Sequence, residues 1–155
     1  MNATHVHLMM THIPVLGSAF GVGLLGWALW RKSAELKKVA MGVFVLASLL
    51  AVPVYLTGEP AEHHVQSLPG ITKTVIEEHE EAAGVAFTGI VVLGVASLAG
   101  LILLRGGKPV PGWFGIPLIS AALVVSGLMA WTANLGGQVR HTEIRAGAVA
   151  PAAGH

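Results

Sequence analysis

Hydrophobic positions along the chain are gathered into four long runs, separated by shorter polar segments. The runs cover residues 13–30, 39–57, 82–104 and 113–135, and none of them contains a charged residue. Each has about 20 residues, the length that an α-helix needs to cross the hydrocarbon core of a bilayer. A helix on the core of a soluble domain would carry a polar face, which these runs lack. The pattern predicts an all-α membrane protein with four transmembrane spans.

The connections between the runs favour an up-down four-helix bundle. Sequential helices joined by short loops pack as antiparallel neighbours. Residues 1–145 are predicted to form one membrane domain, whereas residues 146–155, rich in alanine, glycine and proline, are predicted to form a flexible tail.

Segment 58–81, between the second and third runs, is expected to lie on one membrane surface. Turn residues bracket a short stretch that contains His63 and His64, which predicts a short interfacial helix. Farther along, Thr74 is followed by a glutamate at capping-box spacing, which favours a helix start ahead of the membrane. On this interpretation His79 lies about one turn into the third long helix.

Charge is distributed unevenly between the two sets of connecting segments. Segments 31–38 and 105–112 contain a strong excess of basic residues, namely Arg31, Lys32, Lys37, Lys38, Arg105 and Lys108 against Glu35. The opposite side of the predicted bundle is acidic. By the positive-inside rule, the basic segments lie in the cytoplasm and both termini lie on the periplasmic side of a bacterial inner membrane. The first run is expected to remain as a span, because neither a basic leader nor a cleavage site flanks it.

Composition agrees with this class of protein and excludes several chemistries. The 155 residues are 54% hydrophobic and 11% charged, and the mean hydropathy is +0.71. A soluble domain carries about 25% charged residues. The absence of cysteine from the sequence excludes thiolate metal sites, iron–sulfur clusters and covalently attached c-type haem. No basic, aromatic-rich patch indicates nucleic-acid binding.

Histidine is the residue type whose placement points to chemistry. All eight histidines fall on the predicted periplasmic side: His5, His7, His12, His63, His64, His79, His141 and His155. Antiparallel packing brings His12, His79 and His141 to one depth. Imidazoles without thiolates are suitable ligands for haem iron, zinc, copper and nickel. A b-type haem needs two axial histidines from facing helices, together with apolar walls.

His12 and His79 are the predicted axial ligands of a haem b. Each stands above a stripe of small or apolar residues: Leu16, Ala19 and Gly23 below His12, and Ala83, Ala86 and Ile90 below His79. His7 and His141 are predicted to serve a second haem or to close the pocket. His7 points about 140° away from His12 on a helix, so these two are expected to serve different sites. His5 is expected to face water, and His155 belongs to the predicted tail.

Two features of the first span leave alternatives open. Pro14 disfavours helix at the residue before it, so the helix either starts near Thr11 or kinks there, and either arrangement directs His12 inward. Gly17 and Gly21 form a G-x-x-x-G pair. Such a pair serves close helix packing, or it leaves clearance for a flat cofactor.

Two other functional interpretations stay open. His63 and His64, together with His79 and nearby glutamates, are candidate ligands of zinc, copper or nickel. Alternatively, the chain is a structural subunit, without a cofactor, of a respiratory or photosynthetic assembly. The acidic run 77–81 is a solvated helix start, or a surface for a basic partner such as a soluble cytochrome.

Four segments resemble those of an uncharacterised family of small four-helix bacterial membrane proteins: "HVHLMMTHIPVLG", "LTGEPAEH", "VIEEHEEAA" and "NLGGQVRHTEIR". That family opens with His-x-x-x-x-His-x-Pro, ends its last helix in Gly-Gly, and is related to the di-haem b-type cytochromes. By position, the resemblance implies functional roles for His7, His12, His79 and His141. The di-haem cytochromes place ligands at both membrane faces. Histidines here are confined to one face, which implies one haem, or two side by side.

Together these patterns predict a membrane-anchored b-type cytochrome that transfers electrons near the periplasmic face. Two axial imidazoles leave no open position on the iron, so electron transfer is favoured over oxygen chemistry. We therefore expect a subunit of a redox complex and not a stand-alone enzyme, and no catalytic residue is assigned. The expected partners are the lipid bilayer, other subunits of a redox complex or a soluble cytochrome, and quinone.

Overall fold

The described part of the chain folds into five α-helices. The computed structural model describes residues 3–65, 73–105, 108 and 110–141; for residues 3–6, 62–65 and 140 it describes the backbone alone. The helices are α1 (Ala3–Trp30), α2 (Ala34–Leu56), α3 (Gly58–Val65), α4 (Lys73–Leu103) and α5 (Gly112–Arg140). Within these ranges there is no strand, and α1, α2, α4 and α5 are long and apolar enough to cross a membrane. The predicted fold class, an all-α membrane protein with four spans, is confirmed.

The four long helices form a closed ring of antiparallel neighbours. α1 packs against α2, α2 against α4, α4 against α5, and α5 against α1. A Cβ on Gly26 would lie 3.6 Å from Ile119, and one on Gly115 would lie 3.2 Å from Leu29, so α1 and α5 run in opposite directions. The starts of α1 and α4 therefore meet the ends of α2 and α5. We call this the histidine end, and the opposite end, with the α1–α2 and α4–α5 connections, the loop end.

Residues that face the centre of the ring recur at alternating spacings of three and four. On α1 the series is Pro14, Ser18, Gly21, Leu25 and Ala28; on α4, where Ile76 and Gly94 are buried as well, it is Ala86, Ile90, Leu93, Ser97 and Gly100. This spacing is that of helices packed in a left-handed bundle. Large apolar residues such as Leu16, Phe20 and Val92 are exposed on the outer faces, as expected of surfaces that contact lipid.

Glycine in the first span serves helix packing. A Cβ on Gly17 would lie 3.3 Å from the Cβ of Ala47, and one on Gly21 would overlap the ring of Phe44, 2.8 Å from its Cδ1. Phe44 is fully buried and fills the space beside Gly21. This G-x-x-x-G pair therefore serves close helix packing and not clearance for a flat cofactor, because side chains of α2 already occupy the space beside both glycines.

Three details of the predicted helix boundaries can be compared with the structure. α1 begins at Ala3 and continues through Pro14, so the alternative of a start near Thr11 is wrong. α4 begins at Lys73, which places Thr74 inside the helix instead of at its cap. The predicted short helix between the second and third spans is confirmed as α3. The predicted tail, residues 146–155, lies outside the described residues.

Candidate functional site

His7 lies on the inner face of α1, at the histidine end. His7, Pro14 and Gly21 follow one another at seven-residue intervals and therefore share one face of α1. Pro14 and Gly21 are buried, and the side chain of His7 is half-buried. Its Nδ1 lies 3.0 Å from the carbonyl oxygen of Val54, in the last turn of α2. Because a carbonyl oxygen only accepts hydrogen bonds, Nδ1 carries the proton and donates it. Thr57 Oγ1 lies 3.4 Å from the same nitrogen.

His79 occupies the corresponding position on α4. It precedes Ala86 and Leu93 on the inner face at seven-residue intervals, and it too is half-buried. Its Nδ1 lies 3.1 Å from the carbonyl oxygen of Thr132 on α5 and donates a hydrogen bond to it. The ring lies directly over Gly136, where a Cβ would stand 3.0 Å from its Cε1. A glycine at this position therefore makes room for the imidazole.

The two half-buried histidines lie on the inner faces of α1 and α4, at the same end of the bundle. α1 and α4 are diagonal in the ring, and the imidazoles of His7 and His79 are close enough to interact electrostatically. Each uses Nδ1–H to bond a carbonyl on a neighbouring helix, so each Nε2 is the nitrogen with a free lone pair. Histidine ligands of metals are held in this way, with the second ring nitrogen fixed by a carbonyl or carboxylate.

His12 does not join this pair. Five residues after His7, it lies about 140° around the helix and is exposed. The stripe predicted beneath it, Leu16, Ala19 and Gly23, is exposed as well. The expectation that His12 faces inward opposite His79 is wrong for this geometric reason, and His7 takes the position that the sequence interpretation gave to His12. The stripe predicted beneath His79 does face inward, with Ala86 and Ile90 buried.

The other candidate histidines are placed as follows. His141 is exposed at the C-terminal cap of α5, where its backbone N–H donates to the carbonyl of Gly137. His63 and His64 belong to α3, whose backbone packs against α1, but their side chains lie outside the described residues. The same holds for the side chain of His5, and His155 lies outside altogether. Among the described side chains, no group of three or more histidines and acids is arranged to hold a metal ion.

A repeating pattern in the sequence would have identified His7. Positions 7, 14, 21 and 28 on α1 follow a seven-residue interval, and so do positions 79, 86, 93 and 100 on α4. A histidine at the head of such a series belongs to the face that packs against other helices. The sequence interpretation relied on depth in the membrane, which His12 satisfies, and did not extend the interval of the buried face back to His7. The carbonyl partners, Val54 and Thr132, have no signal in the sequence.

Fold and site together define a multi-pass membrane bundle with a pair of imidazoles anchored at one end. Compared with known protein families, curated protein sequences and solved structures, the chain matches none. These comparisons do not bear on the resemblance to di-haem b-type cytochromes, which stays a prediction.

Proposed function

We propose that this protein holds a haem b between His7 and His79 and transfers electrons at the histidine end of the bundle. The observation that carries the proposal is the matched anchoring of the two imidazoles. Each Nδ1–H is bonded to a main-chain carbonyl of a neighbouring helix, and each Nε2 is left as a ligand atom. The axial pair proposed here thus replaces His12 with His7 and keeps His79.

The number of ligands favours haem over a closed ion site. A structural zinc site needs four ligands, whereas haem iron, whose remaining positions are filled by the porphyrin, needs only two imidazoles. Two anchored imidazoles, which belong to no group of three or more metal-binding side chains in the described part of the chain, match the number of side-chain ligands that haem needs. When bound, the haem supplies one-electron chemistry between ferric and ferrous iron.

The chain's own residues would fix where that chemistry takes place. Leu25, Phe44 and Ile90 are fully buried and fill the bundle below the histidines, so a porphyrin has to lie near the histidine end. Val54 and Thr132 hold the imidazole planes through their carbonyls. A haem held there would exchange electrons at one face of the membrane, which by the positive-inside rule is the periplasmic face. A soluble cytochrome, a redox-complex subunit and quinone are the candidate partners.

The test is a pyridine-haemochrome assay and an absorbance spectrum of the purified protein. We expect stoichiometric haem with the α-band of a reduced b-type cytochrome. His7→Ala and His79→Ala should each abolish or strongly reduce haem content. His12→Ala is the matched control, since His12 is an exposed histidine on the same helix, and it should retain the haem. Purified protein that carries no haem, or that loses it equally in all three variants, would contradict the proposal.

A second candidate is a transition-metal site centred on His7. α3 packs against α1, and a Cβ on Gly58, its first residue, would lie 3.7 Å from Cε1 of His7. The helix that carries His63 and His64 therefore starts beside the anchored imidazole. Elemental analysis decides between the two: stoichiometric zinc, copper or nickel without haem would favour this site. Protein with neither haem nor metal would favour a structural subunit.

A further inference from the structure

The outer surface between α4 and α5 contains a long apolar groove. It runs from Gly84 to Ala96 along α4 and from Trp113 to Leu128 along α5, with a volume of about 1090 Å³. Twelve residues of helix correspond to roughly 18 Å along the membrane normal. No charged side chain lines the groove, and both helices are candidate membrane spans. The groove therefore faces the hydrocarbon chains of the bilayer along much of its length.

Basic residues lie in the α4–α5 connection, which joins the two helices that form the groove. Arg105 and Lys108 are exposed in the α4–α5 connection, which leads into the groove residue Trp113. Nζ of Lys37 donates to the carbonyl oxygen of Val110, at 3.4 Å, so a third cation is held beside the same connection. The ion pairs between described side chains join Lys and Glu elsewhere, and neither Arg105 nor Lys108 takes part in one.

We propose that the groove and these cations together bind an anionic phospholipid, with an acyl chain in the groove and the phosphate at Arg105 and Lys108. Charge complementarity selects this occupant. A zwitterionic lipid would fill the groove but leave the excess positive charge unbalanced. A second copy of the chain would share the same orientation in the membrane, so its own basic loop would lie at the same depth and repel this one. The lipid site is independent of the haem.

Native mass spectrometry of the detergent-purified protein tests the proposal. The probes are phosphatidylglycerol and phosphatidylcholine with identical acyl chains. We expect phosphatidylglycerol to be retained several-fold more strongly. Reversing the charge with Arg105→Glu and Lys108→Glu should remove that preference. The same reversal at Arg31 and Lys32, on the other connection of the loop end, should leave the preference intact. These changes lie outside the helices or at the end of one, so helix content by circular dichroism should not change.

A second variant tests the groove itself. Ala121 lines the groove and is exposed, and Ala121→Phe fills it, so retention of both lipids should fall. Ala130 is exposed on the same helix outside the groove lining, and Ala130→Phe is the control that should retain both lipids. Equal retention of the two lipids by the unmodified protein would overturn the proposal, as would equal losses in the two loop variants. A dimer that dissociates on Ala121→Phe would also overturn it, because the occupant would then be a second copy.

Discussion

The four helices are held together by different kinds of contact at the two ends of the bundle. Toward the loop end, aromatic and sulfur-containing side chains fill space that glycines leave open: Phe44 beside Gly21, and Phe114 and Met41 beside Gly100. At the histidine end, half-buried imidazoles take the inward positions, and their hydrogen bonds go to main-chain carbonyls of neighbouring helices. One end is closed by apolar contact and the other is organised by directed polar contacts.

The difference between the two ends determines where a ligand atom is available. A dense apolar contact has no free donor or acceptor, and changing it affects stability alone. An imidazole fixed through one nitrogen keeps the other for a ligand. The comparison therefore predicts that changes near Gly21 act on folding, whereas changes near His79 and His7 act mainly on the cofactor.

The largest effect on folding is expected at Gly21. Gly21→Leu would force a side chain into the space of the Phe44 ring, and overpacking of this kind costs about 1–3 kcal/mol or more. We expect a marked fall in the midpoint of thermal unfolding in detergent, followed by circular dichroism. Gly23→Leu is the matched control, because a Cβ at Gly23 meets nothing within 4 Å and the position is exposed. Equal midpoints for the two variants would show that Phe44 does not hold this contact.

The class of fold could be predicted from the sequence because each membrane-spanning helix requires a long uncharged run of apolar residues. Runs 13–30, 39–57, 82–104 and 113–135 correspond to α1, α2, α4 and α5. The extension of α1 back to Ala3 was underestimated, because its first turns are polar, whereas the start of α4 at Lys73 lies close to the one that the spacing after Thr74 predicted. Local hydropathy does not record a helix that continues outside the hydrocarbon.

The candidate site was predictable only in part. His79 was singled out, and the stripe below it does face inward, because its spacing follows one helical face. The sequence interpretation preferred His12 to His7, whereas the structure places His7 on the inner face of α1 and His12 on its outer face. Both lie near the predicted membrane surface, and depth alone cannot distinguish two faces of a helix. The carbonyls of Val54 and Thr132 depend on which helices are neighbours in space, and the residue types at those positions do not encode this.

A substitution at Gly136 is expected to have a smaller effect than one at Gly21, and it should lower the affinity for haem. Gly136→Ala would place a Cβ 3.0 Å from Cε1 of His79, so the ring has to shift by a few tenths of an ångström. Disturbing the support of a metal-binding histidine costs roughly 10-fold or more in affinity. We expect lower haem retention during dilution, measured at the Soret band, with little change in thermal unfolding. Gly127→Ala, on the same helix with open space around it, should retain haem normally. Identical retention in the two variants would contradict a ligand role for His79.

The smallest effect is expected at Thr57, which supports His7 more weakly than Val54 does. Its Oγ1 donates to the carbonyls of Pro53 and Val54, at 2.8 and 3.0 Å, and lies 3.4 Å from His7 Nδ1. Thr57→Val keeps the shape and removes these contacts, at a cost of about 1 kcal/mol in stability. Because the hydroxyl also holds the carbonyl that anchors His7, the midpoint potential of the haem should shift together with stability.

Thr88→Val is the matched control that separates the effect on stability from the effect on the midpoint potential of the haem. Thr88 is exposed on α4, and its hydroxyl donates to the carbonyl of Gly84 at 2.9 Å, so its loss removes a similar helical hydrogen bond away from both histidines. We expect this variant to keep the midpoint potential of the unmodified protein in a spectroelectrochemical titration. A shift in Thr57→Val and none in Thr88→Val would tie the potential to the anchoring of His7. If the potentials of both variants stayed unchanged, Thr57 would act only on the end of α2, and the anchoring of His7 would rest on the Val54 carbonyl alone.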